Sequence, residues 1–421
     1  MFTFFGIQLS RQLPESERDG RMRPSFRGTA ARPFVALLAL AISAGCSGSS
    51  LGGSTDAPAS TVKIGLLVSQ SGVYKSVGDD MRNGFQLYLA LNGGKLGGHP
   101  VEVVTADEGD GADTARPAAE RLIKQDKVLA LAGVVGAGSV AAVKPLLDAN
   151  KVPLVGANGR PTKLADPAWV WHTSYVSTEP GLVMGEYVHK AVDGPVYVIG
   201  PDYQGGWDEI GGFVEAFTKA GGKLANPDGK PAYTPFPATK NFQPFLAPIA
   251  ESGAKAVYTF YAGGAAVDFV KQYQQFGLAG KVPLYSAGFL TEGGVLTAEG
   301  DAAANIYNSL NYSPDLDNPA NRTFTSEYQK KFGGQPTTFA MATYDAAAVL
   351  DKAIAAAGGK LTSQTLNDAI GKVGQISSPR GPWQFDAAGH TPVQKWYLRQ
   401  VRKDGATLSN VLVQELGTVG G

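Results

Sequence analysis

Short apolar runs alternating with amphipathic stretches set the plan of this chain. Val62-Lys-Ile-Gly-Leu-Leu-Val68 reads as a buried strand. After the turn at Ser71-Gly72, Met81, Phe85 and Tyr88 recur at helical spacing until Gly93-Gly94 ends the helix. The alternation continues with strand 101–105, helix 114–125, strand 128–135, helix 140–149 and strand 152–155. A second series has strand 195–200, helix 207–220, strand 254–261, helix 267–276 and strand 282–286. Strands alternating with helices over short connections predict βαβ units, so the fold class is α/β, with two doubly wound parallel sheets in succession. Helices at 321–332 and 344–357 and a strand at 396–401 remain to be shared between the two lobes.

Ahead of residue 62 the pattern changes. Arg23, Arg27 and Arg32 precede an apolar run at 34–44, which is too short to span a bilayer but suits an export signal. Residues 1–45 are therefore expected to be a signal peptide. Residues 1–21, with Glu15, Glu17 and Asp19, add nothing a leader needs, and Met22 is the expected start. The run ends in Ser43-Ala44-Gly45-Cys46, and Cys46 is the only cysteine in the chain. This junction resembles the bacterial lipobox, although Ser43 stands where leucine is usual. The resemblance implies a diacylated Cys46 that anchors the protein, in the periplasm or on the outer face of the cell membrane. Residues 46–61 then form a flexible tether, rich in Ser and Gly and without apolar periodicity.

Composition narrows the chemistry. Lys+Arg and Asp+Glu are balanced at 37 each with no dense basic run, so the footprint of a nucleic-acid binder is missing. With one cysteine the chain cannot close a disulfide on itself, and His99, His172, His189 and His390 show no i, i+3 or i, i+4 pairing. No metal site and no cofactor are expected. Gly136-Ala-Gly138-Ser-Val-Ala141 loosely fits a dinucleotide fingerprint, but the next strand ends Leu154-Val155-Gly156, with no acid for a ribose hydroxyl. Gly48-Ser-Ser50-Leu-Gly52 fits a hydrolase nucleophile pattern, yet it lies in the tether, where no strand-turn-helix can form.

From 62 onward the motifs resemble the type I periplasmic binding proteins of the leucine/isoleucine/valine-binding kind, the substrate-binding components of ABC importers. They are Ile64-Gly-Leu-Leu-Val-Ser-Gln-Ser-Gly72 with Gly78, Gly133-Val-Val-Gly-Ala-Gly-Ser139, Val152-Pro-Leu-Val-Gly-Ala157, Pro201-Asp-Tyr-Gln-Gly-Gly206, Gly277-Leu278 after Lys271-Gln272, Tyr344-Asp-Ala-Ala347, and Ser378-Pro-Arg-Gly-Pro382 before Phe385-Asp386. The resemblance implies two lobes joined by three hinge crossovers, placed near 173–177, 309–313 and 377–382. Lobe 1 would be 62–175 with 312–378, and lobe 2 would be 176–311 with 379–421. Ligand is expected in the interlobe cleft at the carboxyl ends of the strands.

The stretch 133–139 ends a strand and opens a helix, leaving unpaired N–H groups suited to an anion. By resemblance, the Ser139 hydroxyl and neighbouring N–H groups, Gly138 among them, hold a ligand carboxylate. Asn158 and Arg160 align with a segment that contacts the ligand's polar groups. Arg160 stands where threonine is usual, as a second cation for an acid or as a solvent-facing side chain. Ser177 replaces an aspartate common in amino-acid binders. Tyr203, Tyr261 and Phe289, with Tyr74 and Val77 in the first loop, belong either to the cleft or to the core, and Trp207 to the cleft wall or to its own helix. At 288–290, where an acid pairs with the substrate ammonium in branched-chain binders, this chain has Gly-Phe-Leu. Asp79, Asp107 and Glu292 are the acids that could still enter the cleft.

The expected protein is a monomeric, exported substrate-binding lipoprotein. It would capture a small carboxylate and pass it to an ABC permease in the cytoplasmic membrane. The ligand implied by resemblance is a branched-chain amino acid, but the missing acid favours a hydrophobic, aromatic carboxylate without an amino group. A sensor presenting ligand to a membrane receptor is the alternative, and no nucleophile-base or paired-carboxylate constellation supports an enzyme.

Overall fold

The computed structural model describes residues 59–358, 360–405 and 407–420, and the signal region and Cys46 lie outside them. The first sheet contains β1 (Val62–Val68), β2 (Lys95–Leu96), β3 (His99–Asp107), β4 (Ala130–Gly133), β5 (Leu154–Gly156) and, after a short β6 (Gly159–Arg160), β7 (Val170–His172). Its order is β2-β3-β1-β4-β5-β7, parallel except for the β2–β3 hairpin. Between strands run α1 (Lys75–Leu91), α2 (Ala112–Lys124) and α3 (Ala137–Asn150). Alternation along β1 sends Ile64, Leu66 and Val68 into one apolar layer and Leu67 into the other, so both faces of the sheet are covered.

After β8 (Tyr175–Val176), which pairs with β6, come α4 (Glu179–Ala191), β9 (Val196–Asp202), α5 (Gln204–Lys219), β10 (Ala232–Pro235), α6 (Gln243–Glu251), β11 (Ala256–Thr259), α7 (Gly263–Gln275), β12 (Leu284–Ala287), α8 (Gly294–Glu299) and β13 (Tyr307–Leu310). The chain then returns to the first sheet's side with α9 (Pro319–Phe332), α10 (Thr338–Ala357) and α11 (Ser363–Ile370). It closes with β14 (Gln394–Asp404) and β15 (Thr407–Val419), and the second sheet runs β10-β9-β11-β12-β13-β14-β15. β9 repeats the two-faced pattern: Val196 and Val198 meet one layer with Phe213 and Phe217, Tyr197 and Ile199 the other with Phe242 and Phe269.

The chain thus passes between the sheets three times, and the passages are tied at one atom. The Ser174 carbonyl accepts hydrogen bonds from Asn311 Nδ2 (3.3 Å), Arg380 Nη1 (3.4 Å) and Gln394 Nε2. The third passage is drawn out. Ile376 pairs with Trp383 and Phe385 with Pro392, and the rings of Phe385 and His390 lie on Trp171 of β7, so the chain re-enters the second sheet only at β14.

Candidate ligand-binding cleft

A small cavity opens between the two sheets, at the carboxyl ends of β1, β4, β9, β11 and β12. The first lobe supplies Tyr74 and Val77 at the start of α1, Val135 to Ala137 between β4 and α3, Asn158 and Gly159 after β5, and Phe339 on α10. Tyr175 and Ser177 line it from the first passage. The second lobe adds Tyr203, Gly205 and Glu209 on α5, Phe260 and Ala262 after β11, and Phe289 after β12.

The walls are closed over the cavity. Tyr74 Oη donates to Tyr203 Oη (2.9 Å), the Gly264 N–H to the Val73 carbonyl (3.0 Å), and the Thr162 N–H to Asp208 Oδ2 (3.0 Å). Rings meet from both sides: Tyr74 and Tyr203 flank Phe236, and Phe289 stacks between Tyr175 and Phe339.

The polar corner is built by the β4–α3 connection. Gly133 leaves the strand at φ 108°, where a Cβ would lie 2.4 Å from the Leu67 carbonyl, and Val134 follows at φ 63°, a strained value for a β-branched residue. This turn aims the next N–H groups away from the cavity and toward Glu108. Glu108, 1% exposed, accepts from Val135 N (2.6 Å) and Gly136 N (2.8 Å). Burial pushes its carboxyl up to about 7, against the pull of these two N–H groups. The N–H groups of Ala137, Gly138 and Ser139 have no partner among the described residues, and Ala137 borders the cavity. An anion there meets the positive end of α3. Asn158 fixes the connection from the side, donating through Nδ2 to the Val135 carbonyl (2.8 Å) and accepting through Oδ1 from Tyr175 Oη (3.0 Å).

Of the residues singled out in the sequence, Tyr74, Val77, Asn158, Ser177, Tyr203 and Phe289 meet at the cavity. Four do not. Ser139 is buried under the connection, its hydroxyl beside the Glu108 carboxyl, both close to Gly136. Gly138 is in the first turn of α3 but not in the cavity lining. Arg160 takes neither position open to it: its side chain is buried, and its charge is felt by Glu179 and Asp386 rather than by the cavity. Burial holds its guanidinium below its ordinary value, and those two acids raise it. Tyr261 turns into the second lobe's core, its hydroxyl 3.0 Å from Thr234 and its ring edge-on to Phe242. Trp207, 47% exposed, does not line the cavity and stays at the start of its own helix, where its indole N–H donates to Asp202.

The acids expected as candidates have other partners. Asp79 pairs with Lys75 (2.6 Å) and Arg82 (2.7 Å), Asp107 accepts from Gln70 N (2.7 Å), and Glu292 binds Arg399 (2.7 Å) in a buried pair. The acid that reaches the cavity is Glu209, which the sequence reading missed. It belongs to the i, i+4 stripe Gly205-Glu209-Phe213-Phe217, all buried, and a carboxylate in the middle of an apolar helix face is the signal that could have found it. Phe260 and Phe339 were also missed, since nothing in the local pattern separates them from core rings.

Residues 61–406 match the family described as periplasmic binding protein. The Leu/Ile/Val-binding protein homolog 6 of Brucella melitensis is 31% identical over 365 residues, 85% of this chain and 92% of that protein. A solute-binding protein of an R. palustris ABC transporter, solved in complex with benzoate, superposes with a TM-score of 0.78 at 30% identity, covering 86% of this chain and 98% of its own. Another from R. palustris, in complex with 4-hydroxybenzoate, gives 0.77 at 29% identity, covering 84% and 96%. A leucine-binding protein of Thermotoga maritima shares the fold at 21% identity, with a TM-score of 0.73 and coverage of 84% and 99%.

Proposed function

Because this chain belongs to the periplasmic binding protein family, whose members bind solutes outside the cytoplasm and are not enzymes, we propose that it captures an aromatic carboxylate and delivers it to an ABC permease. The observation that carries this reading is the cavity wall. Rings from both lobes, Tyr74, Tyr175, Tyr203, Phe260, Phe289 and Phe339, surround one corner of free N–H groups at Ala137. A flat apolar body fits the rings, and its carboxylate fits the start of α3. The R. palustris proteins solved with benzoate and 4-hydroxybenzoate support the same ligand class.

Isothermal titration calorimetry with benzoate, leucine, isoleucine and valine tests it. Benzoate or a substituted benzoate is expected to bind, and at about 100 times its Kd to stabilise the fold by about 2.7 kcal/mol. Binding of the branched-chain amino acids alone would refute the aromatic reading and leave the solute-binding role standing. The anchor is part of the proposal: Cys46 carries a diacylglyceryl group, and Cys46→Ala is expected to release the protein from membranes. Unmodified Cys46 in membrane-extracted protein would refute it. For the lobes we propose limits of 62–175 with 312–392 and 176–311 with 393–421. The last boundary lies later than 379 because Phe385 and His390 pack against Trp171 of β7 and Pro392 pairs back onto Phe385.

A further inference from the structure

The cavity holds one polar side chain that a plain benzoate would leave idle. Glu209 is 1% exposed, lines the cavity from the α5 face, and takes a hydrogen bond on Oε1 from Tyr258 Oη (2.6 Å). Among the described residues no hydrogen bond reaches Oε2, and no Lys, Arg or His lies within 4 Å of the carboxyl. A buried carboxyl with one edge unpaired and open to a cavity is costly unless a ligand completes it.

Resting on the reading of the cleft as an aromatic-carboxylate site, we propose that Glu209 is its specificity-determining residue and selects an aromatic acid bearing a hydroxyl group that pairs with Oε2. Burial pushes the Glu209 carboxyl well above its ordinary value; Tyr258 pulls it down, and neighbouring Asp208 pushes it up again. Burial in this wall of rings therefore favours the neutral form of the carboxyl. A neutral carboxyl both donates and accepts, which is the complement of a hydroxyl. An ammonium would first require Glu209 to ionise inside a wall of rings, with no protein cation to share the cost. A site built around a ligand hydroxyl rejects the analogue that lacks it, because its own buried group is then left unpaired.

The experiment is calorimetry on the full-length protein, its Glu209→Met variant and its Glu209→Gln variant, with benzoate and the three monohydroxybenzoates. In the unmodified protein at least one hydroxybenzoate is expected to bind about tenfold more tightly than benzoate. Glu209→Met is expected to bring that ratio to about one, and Glu209→Gln to keep most of the ratio. Equal binding of all four acids by the unmodified protein would overturn the proposal and leave the aromatic reading intact. So would a Glu209→Met variant that loses benzoate and hydroxybenzoate alike, since Glu209 would then be meeting the carboxylate. If no aromatic acid binds but leucine does, and Glu209→Gln abolishes leucine binding, both readings fall and Glu209 is an ammonium partner. Should Glu209→Met not fold, difference infrared spectroscopy on the unmodified protein decides. The protonated carboxyl band should move on adding the preferred hydroxybenzoate and not on adding benzoate, and a band that moves with neither overturns the assignment.

Discussion

On the first-lobe wall of the cleft, Glu108 stands behind the β4–α3 connection and faces backbone N–H groups; on the second-lobe wall, Glu209 stands in the cavity and faces open space. Both are 1% exposed, and burial raises both. The difference is what each was given to bind. Two N–H donors offset part of the burial at Glu108 and hold it near 7, whereas a single tyrosine hydroxyl opposes the burial that raises Glu209 well above its ordinary value. The same residue type thus shapes an anion corner from behind in one lobe and offers a neutral hydrogen-bonding edge in the other.

The largest expected effect breaks the first half of that comparison. Glu108→Ala leaves the Val135 and Gly136 N–H groups buried without acceptors, so the fold should lose about 2–5 kcal/mol in urea denaturation. A loss under about 1 kcal/mol would mean that the connection holds its shape without the carboxyl.

Next in size is removal of the donor that borders the cavity. Ala137 is the first residue of α3, after Gly136 at φ −95° and ψ 134°, a conformation that tolerates a following proline. Ala137→Pro therefore deletes one N–H with little cost to the helix. Affinity for a carboxylate should fall about tenfold to a hundredfold, with the melting temperature nearly unchanged. An unchanged Kd would move the ligand's charge away from this corner.

A pH series tests Glu108. Ionised Glu108 lies just behind the corner where the ligand carboxylate binds, so binding should favour its protonated form. Affinity should then tighten severalfold as pH falls from about 8 to about 6, with proton uptake visible as a dependence of calorimetric heat on buffer. For stability the sign is the same. A folded value near 7 against an ordinary 4.5 makes the native state bind the proton more tightly. The Glu108 contribution is therefore largest below about 4.5, falls as pH rises to about 7, and is level above. A flat affinity profile would show that ligand charge and Glu108 do not interact.

The broad fold was legible because it rests on strong local patterns, while the missing parts rest on weak ones. The buried run at 62–68 could hardly be anything but a central strand, and the structure places β1 between β3 and β4. Helix α4 went unread because half of its buried stripe is glycine, Gly181 and Gly185 beside Met184 and Val188. At those glycines a Cβ would lie 2.3 Å from the Glu209 carbonyl oxygen and 2.7 Å from the Phe217 nitrogen, so close packing there depends on absent side chains. Helix α10 begins at Thr338, earlier than its alanines indicate, because the Thr337 side chain accepts from Ala340 N. Strand β15, half polar and paired only with β14, carries no alternation strong enough to read. In the cleft, the aromatic residues of the first loop and of α5 were found by position, but the hidden acids were not. Glu108 acts through backbone groups some 27 residues on, and only the folded turn at Gly133 and Val134 brings them together.

The smallest expected effect concerns Ser139, the residue that the resemblance assigns to the ligand carboxylate. Its hydroxyl lies beneath the connection, beside Glu108 and out of the cavity, with no hydrogen-bond partner in bonding geometry. Removing an unpartnered buried hydroxyl exposes no orphan group, so Ser139→Ala should leave stability within about 0.5 kcal/mol. The ligand keeps the Ala137 N–H and the end of the α3 dipole, neither of which needs the serine side chain. Kd should then change by less than about threefold, far below the effect of Ala137→Pro. A tenfold loss in Ser139→Ala, with folding intact, would mean that ligand draws the hydroxyl from Glu108 into the cleft. The corner would then consist of a side chain as well as backbone, and the contrast between the two walls would be smaller than the closed structure makes it.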